Sequence, residues 1–340
     1  MAGGGEPSPA ALEHTRLADA RMRSLVEVDQ PLVLISQMPR SGGTLLLRLF
    51  DGHPDCHVYP LEMGNFLWSD PRTSPEARDW EAVFDRRLLQ TLESQGHIQS
   101  KLKLHEDRER YPLLIPPLMR RDLFRQIRRR QEASSPRTVL NAYATSFFNA
   151  WLDNRNLRSE GSKRWVVAFA PGGVTREESR ASFQSLFPDG RGIALVRDPA
   201  SWYVSARRWS PRWEDRNVAI EAWVEATEAA RAWKREREQD VAIVAFDRLI
   251  RYTQATAEQI SRFLDLELDP AFLHPTINGL QAKANSSFVA KGHDVSRDPL
   301  DRGKTLSRAD VRWIERKTDL LYKEMRALAL PARRPARRRS

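Results

Sequence analysis

At 340 residues, with 41% hydrophobic and 29% charged residues, the chain has the composition of a globular protein that can bury a core without metal or disulfide staples. A single cysteine, Cys56, excludes an internal disulfide framework and fits a reducing compartment; a buried inert thiol and a reactive one are both open for it. The net charge of +10 points to anionic partners, and half of it comes from Arg333, Arg334, Arg337, Arg338 and Arg339 near the end of the chain.

Composition predicts disorder for residues 1–10 and for the Arg-rich 331–340, with an N-terminal helix over Ala10–Val28. No run approaches the ~20 apolar residues needed to cross a bilayer, and Met1–Pro9 lacks the basic and apolar regions of a leader. A cytoplasmic protein is expected. Residues 31–36 (PLVLIS) form a short apolar run of the kind that makes a fully buried parallel strand. The loop Pro39–Thr44 ends it, and Leu45–Phe50 has helical character, so the order is strand, loop, helix. Further buried strands are predicted at Trp165–Phe169, Gly192–Val196 and Val241–Phe246. Helices are predicted over 79–95, 121–131, 202–208, 218–239, 255–264 and 308–328. Strands alternating with helices imply an α/β fold with a mostly parallel, P-loop-type sheet and helices on both faces. Without a sharp composition break, 31–330 is expected to form a single domain.

The loop Pro39-Arg40-Ser41-Gly42-Gly43-Thr44-Leu45 is the first candidate site. Gly42 and Gly43 let the backbone approach an anion closely, Ser41 and Thr44 offer hydroxyls, and a helix starting near Gly43 aims unpaired N–H groups at the ligand. Arg40 adds a permanent cation whose forked donors match phosphate or sulfate oxygens. An ordinary turn and helix cap would account for the same letters. The loop lacks the lysine of G-x-x-x-x-G-K-[ST], which argues against an ATP- or GTP-hydrolysing enzyme and less strongly against an unusual kinase.

Met38–Leu46, followed by Asp51-Gly52-His53-Pro54, resembles the 5′-phosphosulfate loop of sulfotransferases that use 3′-phosphoadenosine 5′-phosphosulfate (PAPS), in the tyrosylprotein- and carbohydrate-sulfotransferase-like branch. One departure is Gly43, where that branch has threonine. Golgi members of the family are usually membrane-anchored, unlike the expectation here. The resemblance extends to Leu195–Ser205, where the family holds the 3′-phosphate with an arginine at a strand end and a serine on the next helix; here these are Arg197 and Ser205. Their placement also follows from general rules. Arg197 leaves a strand's carboxyl end, where open α/β sheets bind ligands, and Asp198 and Pro199 are a cap and first-turn residue.

The resemblance further implies a hydroxyl-bearing acceptor, metal-free catalysis and a general base shortly after the His-Pro segment. Glu62 occupies about that position, with His57 or His53 as alternatives, since other sulfotransferases use histidine. Seven scattered histidines, with no Cys pair, give no metal site. Asn278-Gly279, Asn285 and Ser286 are either nucleotide contacts or a polar surface loop, and Lys291-Gly292 is a further 3′-phosphate candidate. Lys101, Lys103 and His105 would share one side of a strand, as an acidic-acceptor contact or a solvated edge. Tryptophans 68, 80, 151, 202, 209 and 213 line a ring-binding cleft or fill the core. Two rivals stand beside the sulfotransferase: a P-loop phosphotransferase, and a basic nucleic-acid-binding protein, although no recognition motif for nucleic acid is present.

Overall fold

The computed structural model describes residues 9–63, 114–131, 135–158, 161–281 and 297–331. In chain order these form α1 (Pro9–Arg23), β1 (Leu32–Ile35), α2 (Gly43–Phe50), β2 (Cys56–Glu62), α3 (Pro117–Arg130) and α4 (Pro136–Ala150). Next come β3 (Trp165–Phe169), α5 (Glu177–Leu186), β4 (Arg191–Val196), α6 (Pro199–Arg207), α7 (Arg216–Glu236) and β5 (Val241–Ala245). Helices α8 (Phe246–Arg251) and α9 (Thr253–Leu264), the hairpin β6–β7 (Thr276–Ile277, Leu280–Gln281) and α10 (Arg308–Leu328) follow. The helix expected over 79–95 and the Lys101–His105 segment lie outside the described residues.

The described residues fall into two compact units, one drawn from residues 1–30 and 72–160 and the other from 31–71 and 161–340. The first is helical among its described residues. Its α4 opens with a reciprocal cap: the Ser135 hydroxyl accepts from Thr138 N–H (3.1 Å) while the Thr138 hydroxyl accepts from Ser135 N–H (2.9 Å). From α4, Asn149 receives Val26 N–H at 3.1 Å and donates to Val26 carbonyl at 2.8 Å, which fixes the segment after α1. That segment explains why α1 stops at Arg23 rather than at Val28: the backbone of Val26 and Val28 bonds to Asn149 and Thr145 side chains instead of to its own helix.

The second unit is built on a five-stranded sheet of order β2-β3-β1-β4-β5, parallel throughout. Its central strand β1 is buried at every residue, as the unbroken run Leu-Val-Leu-Ile demands. Helix α2 returns from the end of β1 and buries Leu46, Leu47, Leu49 and Phe50; Phe50 meets Phe272 edge-on at 4.6 Å. Each such side chain contributes about 1.5–3 kcal/mol. Strand β2 escaped the sequence reading because His57 and Pro60 interrupt its apolar pattern and its register shifts between Val58 and Glu62. It lies at the end of the strand order, where a proline lacking an N–H is tolerated. The reading of 241–246 as strand is one residue long: Phe246 starts α8. Among the described residues no helix is long and apolar enough to cross a membrane.

Candidate active site

The strands' carboxyl ends collect the predicted groups. At the end of β1, the Ser36 hydroxyl donates to Ala170 carbonyl (2.7 Å) and accepts from Val174 N–H (3.1 Å), while Gly172 N–H donates to Gln37 carbonyl (2.8 Å). These bonds anchor the root of the loop. Beyond it the chain turns through left-handed backbone at Arg40 (φ 71°) and Gly42 (φ 106°) before α2 begins at Gly43. A non-glycine residue at positive φ stores strain, as functional loops often do. Gly42 is obligatory for a second reason: a Cβ there would overlap the Phe246 ring. Pro39 and Arg40 are held from outside the loop, since Trp202 Nε1 donates to Pro39 carbonyl (2.8 Å) and Arg197 Nη1 to Arg40 carbonyl (2.7 Å). Ser41 is buried, Thr44 and Leu45 are half-buried at the start of α2, and the Leu46 N–H closes the first turn on Gly42 carbonyl at 3.0 Å. The first backbone N–H groups of α2 have no partner within the helix, and no side chain caps them at Gly42.

Gly43, the departure from the family loop, has a steric cause. A Cβ at 43 would collide with Gln37 Nε2 and the Phe169 ring, so the space of a side chain is already filled.

Strand β4 supplies Arg197, only 4% exposed. Besides Arg40 carbonyl, it donates through Nη2 to Pro299 carbonyl (2.8 Å), and its guanidinium lies over Phe246 at 4.8 Å. Asp198 caps α6 by accepting Ser201 N–H (2.7 Å), with Pro199 at the first helical position, as expected. Ser205, on the same helix, is fully buried and accepts a 2.7 Å bond from Arg302 Nη1. Arg302 is the residue that sequence reasoning missed. The turn carrying it docks on α6, where Gly303 N–H donates to Ser201 Oγ (3.2 Å) and Ser201 Oγ donates to Leu300 carbonyl (3.1 Å). The available signal was a basic residue followed by glycine. It was read at Lys291-Gly292, which with Asn285 and Ser286 lies outside the described residues; the Arg302-Gly303 pair further along reaches the site. Beside Arg302 opens a cavity of about 560 Å3, with Arg207 and Arg208 on its wall.

Arg40, Arg197 and Arg302 are therefore within electrostatic reach of one another. Burial, then the charges of Arg302 and Arg40, pushes Arg197 down to about 9. Burial and Arg40 push Arg302 down to about 10. Burial lowers Arg40 too, and Glu62 opposes that shift. Neither Arg40 nor Arg197 makes a salt bridge among the described residues, and the Nε of each is buried without a hydrogen-bond partner. Clustered cations that repel one another, two of them with an unpartnered Nε, fit an anionic ligand carrying more than one charged group.

Glu62 is exposed at the carboxyl end of β2, paired in register with Phe169, and its charge acts on Arg40. The structure does not bring the histidines to this edge. His57 sits near the start of β2 opposite Val166, 1% exposed, and burial followed by the charge of Lys163 pushes it down to about 3. His53 Nδ1 accepts Asp55 N–H (3.1 Å), so the ring proton is on Nε2, which donates to Glu267 carbonyl (3.1 Å); both nitrogens hold the turn after α2. Asn278 and Gly279 belong to the β6–β7 turn, where Gly279 N–H donates to the buried Asp51 carboxylate (2.7 Å). Cys56 is fully buried, and burial pushes its thiol well above the usual range, which removes the thiolate a reactive cysteine needs. Trp151, Trp202 and Trp213 are core residues, Trp209 is half exposed, and Trp68 and Trp80 lie outside the described residues.

A model of the sulfotransferase family matches residues 31–270. The sulfotransferase domain of the Synechococcus PCC 7002 olefin synthase shares the fold at 16% identity and a TM-score of 0.50, over 90% of this chain and 98% of that one. The sulfotransferase domain from the curacin biosynthetic pathway aligns at 15% identity and a TM-score of 0.47, over 86% of this chain and 99% of that one. Sulfotransferase STF9 from Mycobacterium avium aligns at 16% identity and 0.40, over 93% and 86%. No curated protein sequence matches the chain. With the family match spanning most of its length and the five-stranded parallel sheet beneath it, the chain belongs to the sulfotransferase family.

Proposed function

We propose that this sulfotransferase takes the sulfuryl group from PAPS and transfers it in line, without a metal, to a hydroxyl of its acceptor. The observation that carries the donor assignment is the convergence of Arg40, Arg197 and Arg302 around a helix start, with Ser205 bonded to Arg302. Two anchoring points separated along the sheet edge suit a ligand with phosphates at both its 3′ and 5′ positions. In this reading the Pro39–Leu45 loop and Arg40 hold the 5′-phosphosulfate, while Arg197, Ser205 and Arg302 hold the 3′-phosphate.

Glu62 accepts the acceptor's hydroxyl proton as that oxygen bonds to sulfur. The bond from sulfur to the bridging oxygen breaks, and its electron pair leaves with adenosine 3′,5′-bisphosphate. Arg40 and the loop N–H groups stabilise the charge that develops on that oxygen. Sulfuryl transfer asks for the same in-line placement as phosphoryl transfer. The exposed position of Glu62 supports its role, since an acceptor can reach it from solvent and its charge acts on Arg40.

Calorimetry tests the donor. Adenosine 3′,5′-bisphosphate should bind without magnesium, and ATP should bind at least tenfold more weakly; equal or tighter ATP binding refutes the reading in favour of a phosphotransferase. Radiolabelled PAPS offered with a panel of sugars, peptides and small alcohols, with and without EDTA, then reads the acceptor class and the metal independence.

A further inference from the structure

Gln37 lies two residues past the end of β1 and is only 4% exposed. Its backbone carbonyl is used by Gly172 N–H, but both Nε2 and Oε1 of its side chain are buried with no hydrogen-bond partner among the described residues. Leaving a buried carboxamide unpaired destabilises the fold, because its polar atoms have given up water without gaining partners. A chain built only for stability would put an aliphatic residue there. The amide also does not sit at random: its Nε2 occupies the volume into which a side chain at Gly43 would project, against the Phe169 ring. It therefore lies at the first residue of α2, where the unpaired helix N–H groups collect.

The direction of approach is informative. Across the sheet edge, Arg197 and the Ser205–Arg302 pair stand on the β4 side of the loop, whereas Phe169 belongs to β3, whose backbone pairs with β2 at Glu62 and accepts Met63 N–H at 2.7 Å. Gln37 is thus on the Glu62 side of the loop, away from the arginine pair. Resting on the donor reading above, we infer that the Gln37 carboxamide is a further binding residue of the anion cradle, donating its Nε2–H to a sulfuryl oxygen on the acceptor side. It also supplies the side-chain donor that Gly43 cannot. The two features are one device: glycine at 43 makes the room, and the Gln37 amide fills it with a donor anchored on the sheet rather than on the helix.

The test uses the difference between PAPS and adenosine 3′,5′-bisphosphate, which lacks only the sulfuryl group. Titrations of both nucleotides into the full chain, without acceptor, compare wild type with Gln37→Met, of similar length but no donor, and Gln37→Glu, of the same shape but repelled by an anion. Losing a hydrogen bond to a charged group should weaken PAPS about tenfold or more in Gln37→Met, with the bisphosphate within twofold of wild type; Gln37→Glu should weaken both nucleotides, PAPS the more. If Gln37→Met fails to melt cooperatively, Gln37→Glu carries the comparison alone. Equal loss for both nucleotides would mean that Gln37 merely wedges the loop, and no loss for either would mean that it is inert; each overturns the inference. Wild-type protein that binds neither nucleotide overturns the donor reading itself, a result visible before any variant is made.

Discussion

Replacing Arg302 by methionine separates what the arginine does for the fold from what it does for the ligand. Among the interactions of Arg302, the change removes the bond from Nη1–H to Ser205 Oγ at 2.7 Å, worth about 1 kcal/mol. It also removes a cation that the fold on balance disfavours, since burial and the charge of Arg40 outweigh the attraction of Asp298 and hold Arg302 down to about 10. Relief of that repulsion offsets the lost bond, and methionine keeps the aliphatic packing beside α6. The melting temperature should therefore stay within roughly 3 °C of wild type. Ligand binding should respond differently. A charge-assisted bond to phosphate contributes about 1.5–3 kcal/mol, so affinity for adenosine 3′,5′-bisphosphate should fall roughly 10- to 150-fold. Calorimetry against adenosine 5′-monophosphate, which has no 3′-phosphate, supplies the control: its affinity should change less than twofold. Equal losses for the two nucleotides would refute the placement of Arg302 at the 3′-phosphate. A large drop in melting temperature would refute the view that the ligand-free cluster is electrostatically strained.

Glu62→Gln should lower kcat by about 10²–10⁴, the usual value of a positioned base, with bisphosphate affinity within threefold; full turnover in a radiolabel assay would dismiss Glu62 as the base. Gly42→Ala should abolish measurable nucleotide binding while far-UV circular dichroism remains native, because alanine at φ 106° is strained and its Cβ displaces the Phe246 ring that underlies Arg197. Retained affinity would show that the loop tolerates another backbone path. His57, held down to about 3, makes stability acid-sensitive. Above pH 6.5 the ring is neutral folded or unfolded and contributes nothing to the slope. Between 6.5 and 3 only the unfolded chain takes up the proton, so stability falls by up to about 1.4 kcal/mol per pH unit. Urea unfolding at pH 7 and pH 5 should show a shallower acid loss in His57→Gln, together with near-normal turnover; a turnover loss matching that of Glu62→Gln would return the histidine to the active site.

The parts of this site that could be read from sequence are those in which one short segment carries both the structure and the chemistry. Pro39–Leu45 and Arg197–Ser205 each follow a buried strand closely and contain their own turn and helix start, so a local pattern locates the strands' carboxyl edge as well as the residues. The strand beneath Glu62 was opaque for the opposite reason: His57, Pro60 and the register shift hide its alternation, and only pairing with β3 reveals it as a strand. The histidines, alternatives to Glu62 because other sulfotransferases use histidine, could not be sorted from it by sequence, which does not show where along β2 each residue falls. Along β2, residues 57 to 62 run from the strand's amino end to its carboxyl end, where Glu62 pairs in register with Phe169.

Arg302 was hidden by distance in sequence, since nothing near it marks a strand end; its role comes from α6, through Ser201 and Ser205. Gly43 shows a subtler failure. Against the family loop it reads as a lost hydroxyl, a defect confined to one position. In three dimensions the position is filled by Gln37 from the root of the loop after β1, together with Phe169 from β3. A substitution in a cradle is therefore to be judged by what occupies the vacated volume. Here the occupant is a buried amide with unspent hydrogen bonds, so glycine at 43 is consistent with an anion site that draws its donors from the sheet as well as from the helix.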